Sequence, residues 1–138
     1  MTTRANFIVL SQLSSLLRLR LVLLADAAVS GATGLAMMAG AGFVDGLLGI
    51  PGPLLRYAGM SLLPFAVIVA VVAMRERVSR PAAWAVVAYN ALWAIDSIVL
   101  MLSGFIAPTA LGYAFITFQA IVVAIFAELQ FVALRKSQ

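Results

Sequence analysis

Four long apolar stretches alternate with short polar or Gly/Pro-rich breaks, and this alternation predicts four membrane-crossing helices. The spans read as 21–44, 56–74, 82–103 and 112–134. Each is long enough at 1.5 Å per residue to cross a hydrocarbon core about 30 Å thick. The breaks are DGLLGIPGPLL (45–55), RERVSRP (75–81) and GFIAPTAL (104–111). Glycine and proline interrupt helices, so the first and last read as turns at one membrane face, and the middle one is a basic loop at the other. Residues 1–20 have another pattern: Arg4, Ser11, Ser15 and Arg18 share one helical face, and Phe7, Leu10, Leu13 and Leu17 another. That division suits an amphipathic helix lying in the membrane interface. Pro64 lies inside the second span, where it removes a backbone hydrogen bond and favours a kink. The expected fold is therefore all-α: an integral membrane four-helix transmembrane bundle with an N-terminal amphipathic interfacial helix, the 138 residues forming a single transmembrane domain.

Composition agrees with a bilayer as the solvent. Hydrophobic residues make up 64% of the chain and charged ones 10%, too few charges to cover a soluble domain. The charges also give an orientation. With four spans, Arg4, Arg18, Arg20, Arg75, Arg77, Arg80, Arg135 and Lys136 fall on one side, and Arg56 alone on the other. The positive-inside rule then places both termini in the cytoplasm, in a bacterial-type inner membrane. The same placement explains the net charge of +4 without nucleic acid as a partner. Trp84 falls near the basic face, and Tyr57, Phe105 and Tyr113 near the opposite one, as interfacial aromatics do.

There is no cysteine and no histidine. Disulfides, thiol chemistry, the usual haem and zinc ligands and the commonest general base are thereby lost, so neither a cofactor nor a metal is expected. No Ser–His pairing or phosphate-binding glycine loop is present, and the chain does not read as an enzyme.

The candidate chemistry lies in polar groups inside the spans. An ionisable side chain there costs roughly 2.5–3.5 kcal/mol on insertion scales, which calls for a reason. Asp26, Asp96 and Glu128 qualify, with Asn90 beside them. Asp26 lies about 9 Å past Arg20, Glu128 about 10 Å before Arg135, and Asp96 about 21 Å into its helix, beyond the middle. Helical spacing aligns Asp26, Ser30, Thr33 and Met37 on the first span, and Tyr89, Trp93, Asp96 and Ser103 on the third, with Asn90 and Ser97 on a neighbouring face. On the fourth, Tyr113, Thr117 and Glu128 align, as do Gln119 and Gln130. Inward-facing stripes would give a polar interior running from Glu128 and Asp26 towards Asp96, supported by Ser30, Thr33, Tyr89, Trp93 and Gln119. The functional expectation is a proton or cation pathway. The plainer reading is interhelical hydrogen bonding, with Asp26 and Glu128 snorkelling to the interface.

Three functions follow. One is a homo-oligomeric proton- or cation-coupled transporter, with the small-xxx-small pairs Ala27–Gly31, Ser30–Gly34 and Ala36–Gly40 of the first span as its interface. The second is a non-catalytic accessory or assembly subunit among other membrane subunits. The third is a lipid-binding or lipid-modifying protein. In plan, four spans with an intramembrane acid resemble the small multidrug transporters. Their first helix carries a Glu where this one offers Asp26, so no residue role is carried over. The two hairpins also read alike, each with a polar group early, a Gly-containing turn and then a tyrosine, though any two hairpins would look similar at this level.

Overall fold

The computed structural model describes residues 2–137. It contains four helices: α1 (Thr2–Leu48), α2 (Gly52–Met74), α3 (Arg80–Ser103) and α4 (Ala110–Lys136). All four are long and apolar enough to cross a membrane. Large hydrophobic side chains are exposed along every helix, among them Leu35, Val67, Ile95 and Phe118. Helices that are apolar on the outside as well as the inside suit lipid rather than water. The molecule is thus an all-α, multi-pass membrane bundle.

The helix ends follow from local chemistry. α1 continues through residues 45–48, expected to be part of a turn, and stops at Gly49, whose φ of +66° ends the helix in the left-handed region. Pro51 and Pro53 do not break a helix because they sit at the start of α2, where a missing N–H leaves no partner stranded. Ser79 caps α3 by accepting from the Ala82 N–H, and Gly104 closes it at φ +80°. Thr109 caps α4 through the Gly112 N–H. It also donates its hydroxyl to the Leu47 carbonyl and its N–H to the Leu48 carbonyl, so the turn before α4 caps the end of α1. Gly112 fits against α1 because a Cβ there would collide with the Leu48 carbonyl.

The N-terminal stretch is helical, but it runs into the first span without interruption. Ser11 and Ser15 turn their hydroxyls back onto the carbonyls of Ile8 and Ser11, and no proline or glycine occurs before Gly31. At 47 residues, α1 is about 70 Å long, roughly twice what a bilayer core requires. Its first buried residue is Leu19, so the preceding part projects beyond the bundle.

Packing order around the bundle is α2, α1, α4, α3, and α2 scarcely touches α3. At the basic end one core draws on all four helices: Leu19 and Leu23 of α1, Leu62 and Val69 of α2, Ala83 and Val86 of α3, and Leu134 of α4. At the opposite end Ala41, Leu48, Ile50, Leu55 and Ile116 pack together, with no buried residue from α3. α1 and α2 stay close through Gly34 and Gly59. A Cβ on Gly59 would lie 2.7 Å from the Gly34 carbonyl oxygen, and one on Gly34 would lie 3.0 Å from that of Gly59. The part of the small face of α1 around Gly34 is therefore used inside the chain, where sequence suggested an interface between copies, whereas Ala36 is exposed and a Cβ on Gly40 would meet nothing. Gly31 also faces α2, with Ala66 3.6 Å from its would-be Cβ.

Two arginines close the basic end. Arg20 of α1 donates to the carbonyls of Ala73, Arg75 and Glu76 at the end of α2. Arg80 of α3 donates to the Leu134 carbonyl and the Ser137 hydroxyl at the end of α4. In each hairpin the first helix supplies a guanidinium to the unsatisfied carbonyls that end the second. This is the firmest likeness between the hairpins.

Candidate functional site

The polar groups of the spans separate into a sealed cluster and an open one. The sealed cluster centres on Asp26, which has no exposed surface. Its Oδ1 accepts from the Ser30 hydroxyl at 3.0 Å, one turn along α1. Its Oδ2 accepts from Asn90 Nδ2 on α3 and from Gln130 Nε2 on α4, each at 2.7 Å. Asn90 Nδ2 also donates to Gln130 Oε1 at 3.1 Å. One carboxyl group thus ties three helices together. Asn90 and Gln130 are as buried as Asp26, and each amide needs a partner in an apolar surrounding. Neither arginine of the basic end joins them; Arg20 is committed to the end of α2.

The open cluster lies where α3 leaves α2. Asp96 is exposed, about 24 Å along α3 from Arg80 and about 10 Å short of Ser103. It makes no hydrogen bond or ion pair with another described residue. It lines a cavity of about 210 Å³ with Trp93, Ser97 and Gln119 on one side and Met37, Leu54 and Leu62 on the other. The polar side chains around it are fixed. Trp93 Nε1 donates to Gln119 Oε1 at 2.8 Å, Gln119 Nε2 donates to Ser97 Oγ at 2.8 Å, and Ser97 donates to the Trp93 carbonyl at 2.7 Å. Toward the basic end the cleft stops at Tyr89. Its ring stacks on Phe65 of α2 at 4.1 Å, and its hydroxyl pairs with Ser61 at 2.9 Å. This is the point at which α2 and α3 do meet.

A second cavity of about 140 Å³ joins the clusters. It shares Thr33, Leu62, Trp93, Phe115 and Gln119 with the first, and adds Ser30, the hydroxyl that donates to Asp26. Thr33 therefore stands between the two aspartates. A larger groove of about 570 Å³ between α1 and α4 is lined by apolar residues and Thr33, with no charged group. The cavity of about 210 Å³ carries the Asp96 carboxyl group.

Sequence reasoning aligned Asp26, Ser30 and Thr33 on one stripe of the first span and set Asn90 on a face beside the stripe of Asp96; Asp26 and Asn90 do meet. Trp93 and Gln119 meet as well, and Tyr89 marks the end of the cleft. Glu128 is not brought to them. It is exposed on α4, because the buried face of that helix runs through Ala120, Ala127 and Gln130. Tyr113 and Thr117, aligned with Glu128, are exposed too. The missed residue is Gln130. The signal for it was its alignment with Gln119, eleven residues earlier, on a face with small alanines.

No protein-family model matches the chain, and neither do the curated proteins or the solved structures searched.

Proposed function

We propose that this protein transports a proton or a small, partly apolar cation, with Asp96 as the counter-charge and the cleft between α2 and α3 as the entry. The observation that carries the reading is an unpartnered carboxyl group deep in a spanning helix, open to a cavity with a fixed indole, amide and hydroxyl around it. An intramembrane acid is costly to keep, and Asp96 has no partner among the described residues to which it could serve as structural glue. Trp93 and Phe115 beside it offer faces on which an organic cation can rest. The shared cavities suggest a path inward by Thr33 and Ser30 to Asp26, where the packed basic end closes it. This is the shape of one state of an alternating-access carrier. Four helices enclose little volume, so the working unit is a homo-oligomer in this reading. The distribution of basic residues favours an inner membrane with both termini in the cytoplasm and the cleft opening outward.

The test is flux in proteoliposomes, with ethidium or a proton gradient as the probe. Asp96→Asn keeps the side chain's size and removes its charge, and it should abolish flux of both probes. Undiminished flux would overturn the proposal.

A second reading, an accessory subunit of a larger membrane complex, is favoured by the projecting part of α1. Phe7, Leu10, Leu13 and Leu17 are exposed there. Native mass spectrometry of the protein released from its own membrane separates the two. A homo-oligomer supports the carrier; co-release of other chains in fixed ratio supports the subunit.

A further inference from the structure

We propose that a groove between α1 and α4 at the basic end binds an anionic phospholipid of that leaflet. Arg18 and Lys136 line it together with Ser15, and the rest of its wall is Leu21, Val22, Leu129, Val132 and Ala133. Its volume is about 300 Å³. Arg4, Arg75 and Arg77 do not line this groove, and the remaining cations of this end are engaged elsewhere. Arg20 and Arg80 are consumed in closing helix ends, and the Arg135 guanidinium sits 5.7 Å over the Phe131 ring. Arg18 and Lys136 are exposed and make no hydrogen bond or ion pair with another described residue.

The arrangement matches the two parts of a lipid. Arg18 and Lys136 come from antiparallel helices and converge on the mouth of the groove, where a phosphate would accept from both. The Ser15 hydroxyl, which donates to the Ser11 carbonyl, stands beside them. One turn further on α1, and one to two turns back on α4, the lining becomes wholly apolar. Leu21, Leu129 and Val132 are exposed along it, so an acyl chain would lie on them in the direction of the bilayer normal. A free phosphate would use the cations and leave this wall bare. A zwitterionic lipid would use the wall but bring a cation of its own to Arg18 and Lys136. The combination selects a headgroup with net negative charge, as basic pockets between transmembrane helices do.

The full chain, purified in mild detergent, is titrated with phosphatidylglycerol, phosphatidylcholine or inorganic phosphate, and bound lipid is read by native mass spectrometry. Phosphatidylglycerol should be retained over phosphatidylcholine by about thirtyfold, the contribution of two cations at a membrane surface. The Arg18→Gln/Lys136→Gln double variant should lose that preference. Arg4→Gln/Arg77→Gln, which removes the same charge elsewhere at the basic end, should keep it. Thermal unfolding without lipid checks that both variants fold. Equal retention of the two lipids, equal loss in both variants, or displacement of phosphatidylglycerol by inorganic phosphate at similar concentration would overturn the proposal. None of these outcomes depends on Asp96 or on transport.

Discussion

The basic end of the bundle buries side chains from all four helices, whereas past Ala94 α3 buries none. The two ends hold the same side chain under opposite conditions. Asp26 at the basic end accepts three hydrogen bonds and touches no outside surface. Asp96 at the far end has a cavity in front of it and no hydrogen-bond or ion-pair partner among the described residues. An acid in a membrane helix is commonly read as functional. The contrast refines that rule, because the neighbours supplied by other helices separate a tie from a site. Asn90 and Gln130 account for the cost of Asp26. No described residue does so for Asp96.

The comparison breaks most severely at the Gly34–Gly59 crossing. At the open end α2 has lost α3, and α1 holds it by close approach of backbone to backbone. Gly59→Leu should force that crossing apart, since its Cβ alone would lie 2.7 Å from a carbonyl oxygen. Overpacking usually costs about 1–3 kcal/mol, and a backbone obstacle puts this case at the upper end. Thermal unfolding in mild detergent should show a markedly lowered midpoint or no folded protein. A midpoint like the parent's would mean that this contact does not hold α2.

The next effect belongs to the sealed end. Asp26→Leu removes the acceptor shared by Asn90 and Gln130. Interhelical hydrogen bonds in membranes average about 0.6 kcal/mol and reach about 1.7, so two of them predict a loss of about 1–3 kcal/mol. Asp26→Asn retains one carbonyl oxygen and should lose about half as much. If both variants unfold like the parent, Asp26 is no tie and its burial needs another explanation.

A smaller effect is expected where the two ends meet. Tyr89→Phe keeps the stack on Phe65 and removes the hydroxyl that pairs with Ser61. The loss should be about 0.6 kcal/mol, with α2 and α3 freer to part. Accessibility of a cysteine introduced at Leu54, on the cleft wall, should rise in this variant. Unchanged labelling would show that stacking alone keeps the helices together.

The helix count, the alternating directions and the inward face of α1 were legible because span length and the 3.6-residue period need no knowledge of neighbours; on α3 the buried face runs through Ala83, Val86, Asn90 and Ala94, beside the stripe of Tyr89, Trp93, Asp96 and Ser103. The helix ends were less so. Residues 45–48 carry Gly46 in a segment that reads as a turn, and the third dimension decides where α1 stops, through Gly49 and the cap supplied by Thr109. The face of α4 was the harder error. Glu128 carries the charge that draws attention, but burial follows the small residues Ala120 and Ala127, and those lead to Gln130. The gap between α2 and α3 left no mark in periodicity, since both helices carry large apolar side chains on their exposed faces as well as on their buried ones. Without that gap Asp96 could not be told from Asp26.

The least effect on stability should come from the residue proposed to matter most for function. Asp96→Asn removes no hydrogen bond or ion pair to a described residue, and its side chain already faces the cleft. Substitutions at such positions usually shift stability by no more than about 0.5 kcal/mol. Its unfolding midpoint should therefore match the parent's, while cation flux is lost. A midpoint lowered as far as that of Asp26→Leu would place Asp96 among the structural ties, with a partner beyond this chain, and would move the weight to the subunit reading. A midpoint clearly raised would say that the charge is held at a cost, as a binding site empty of its cation would hold it.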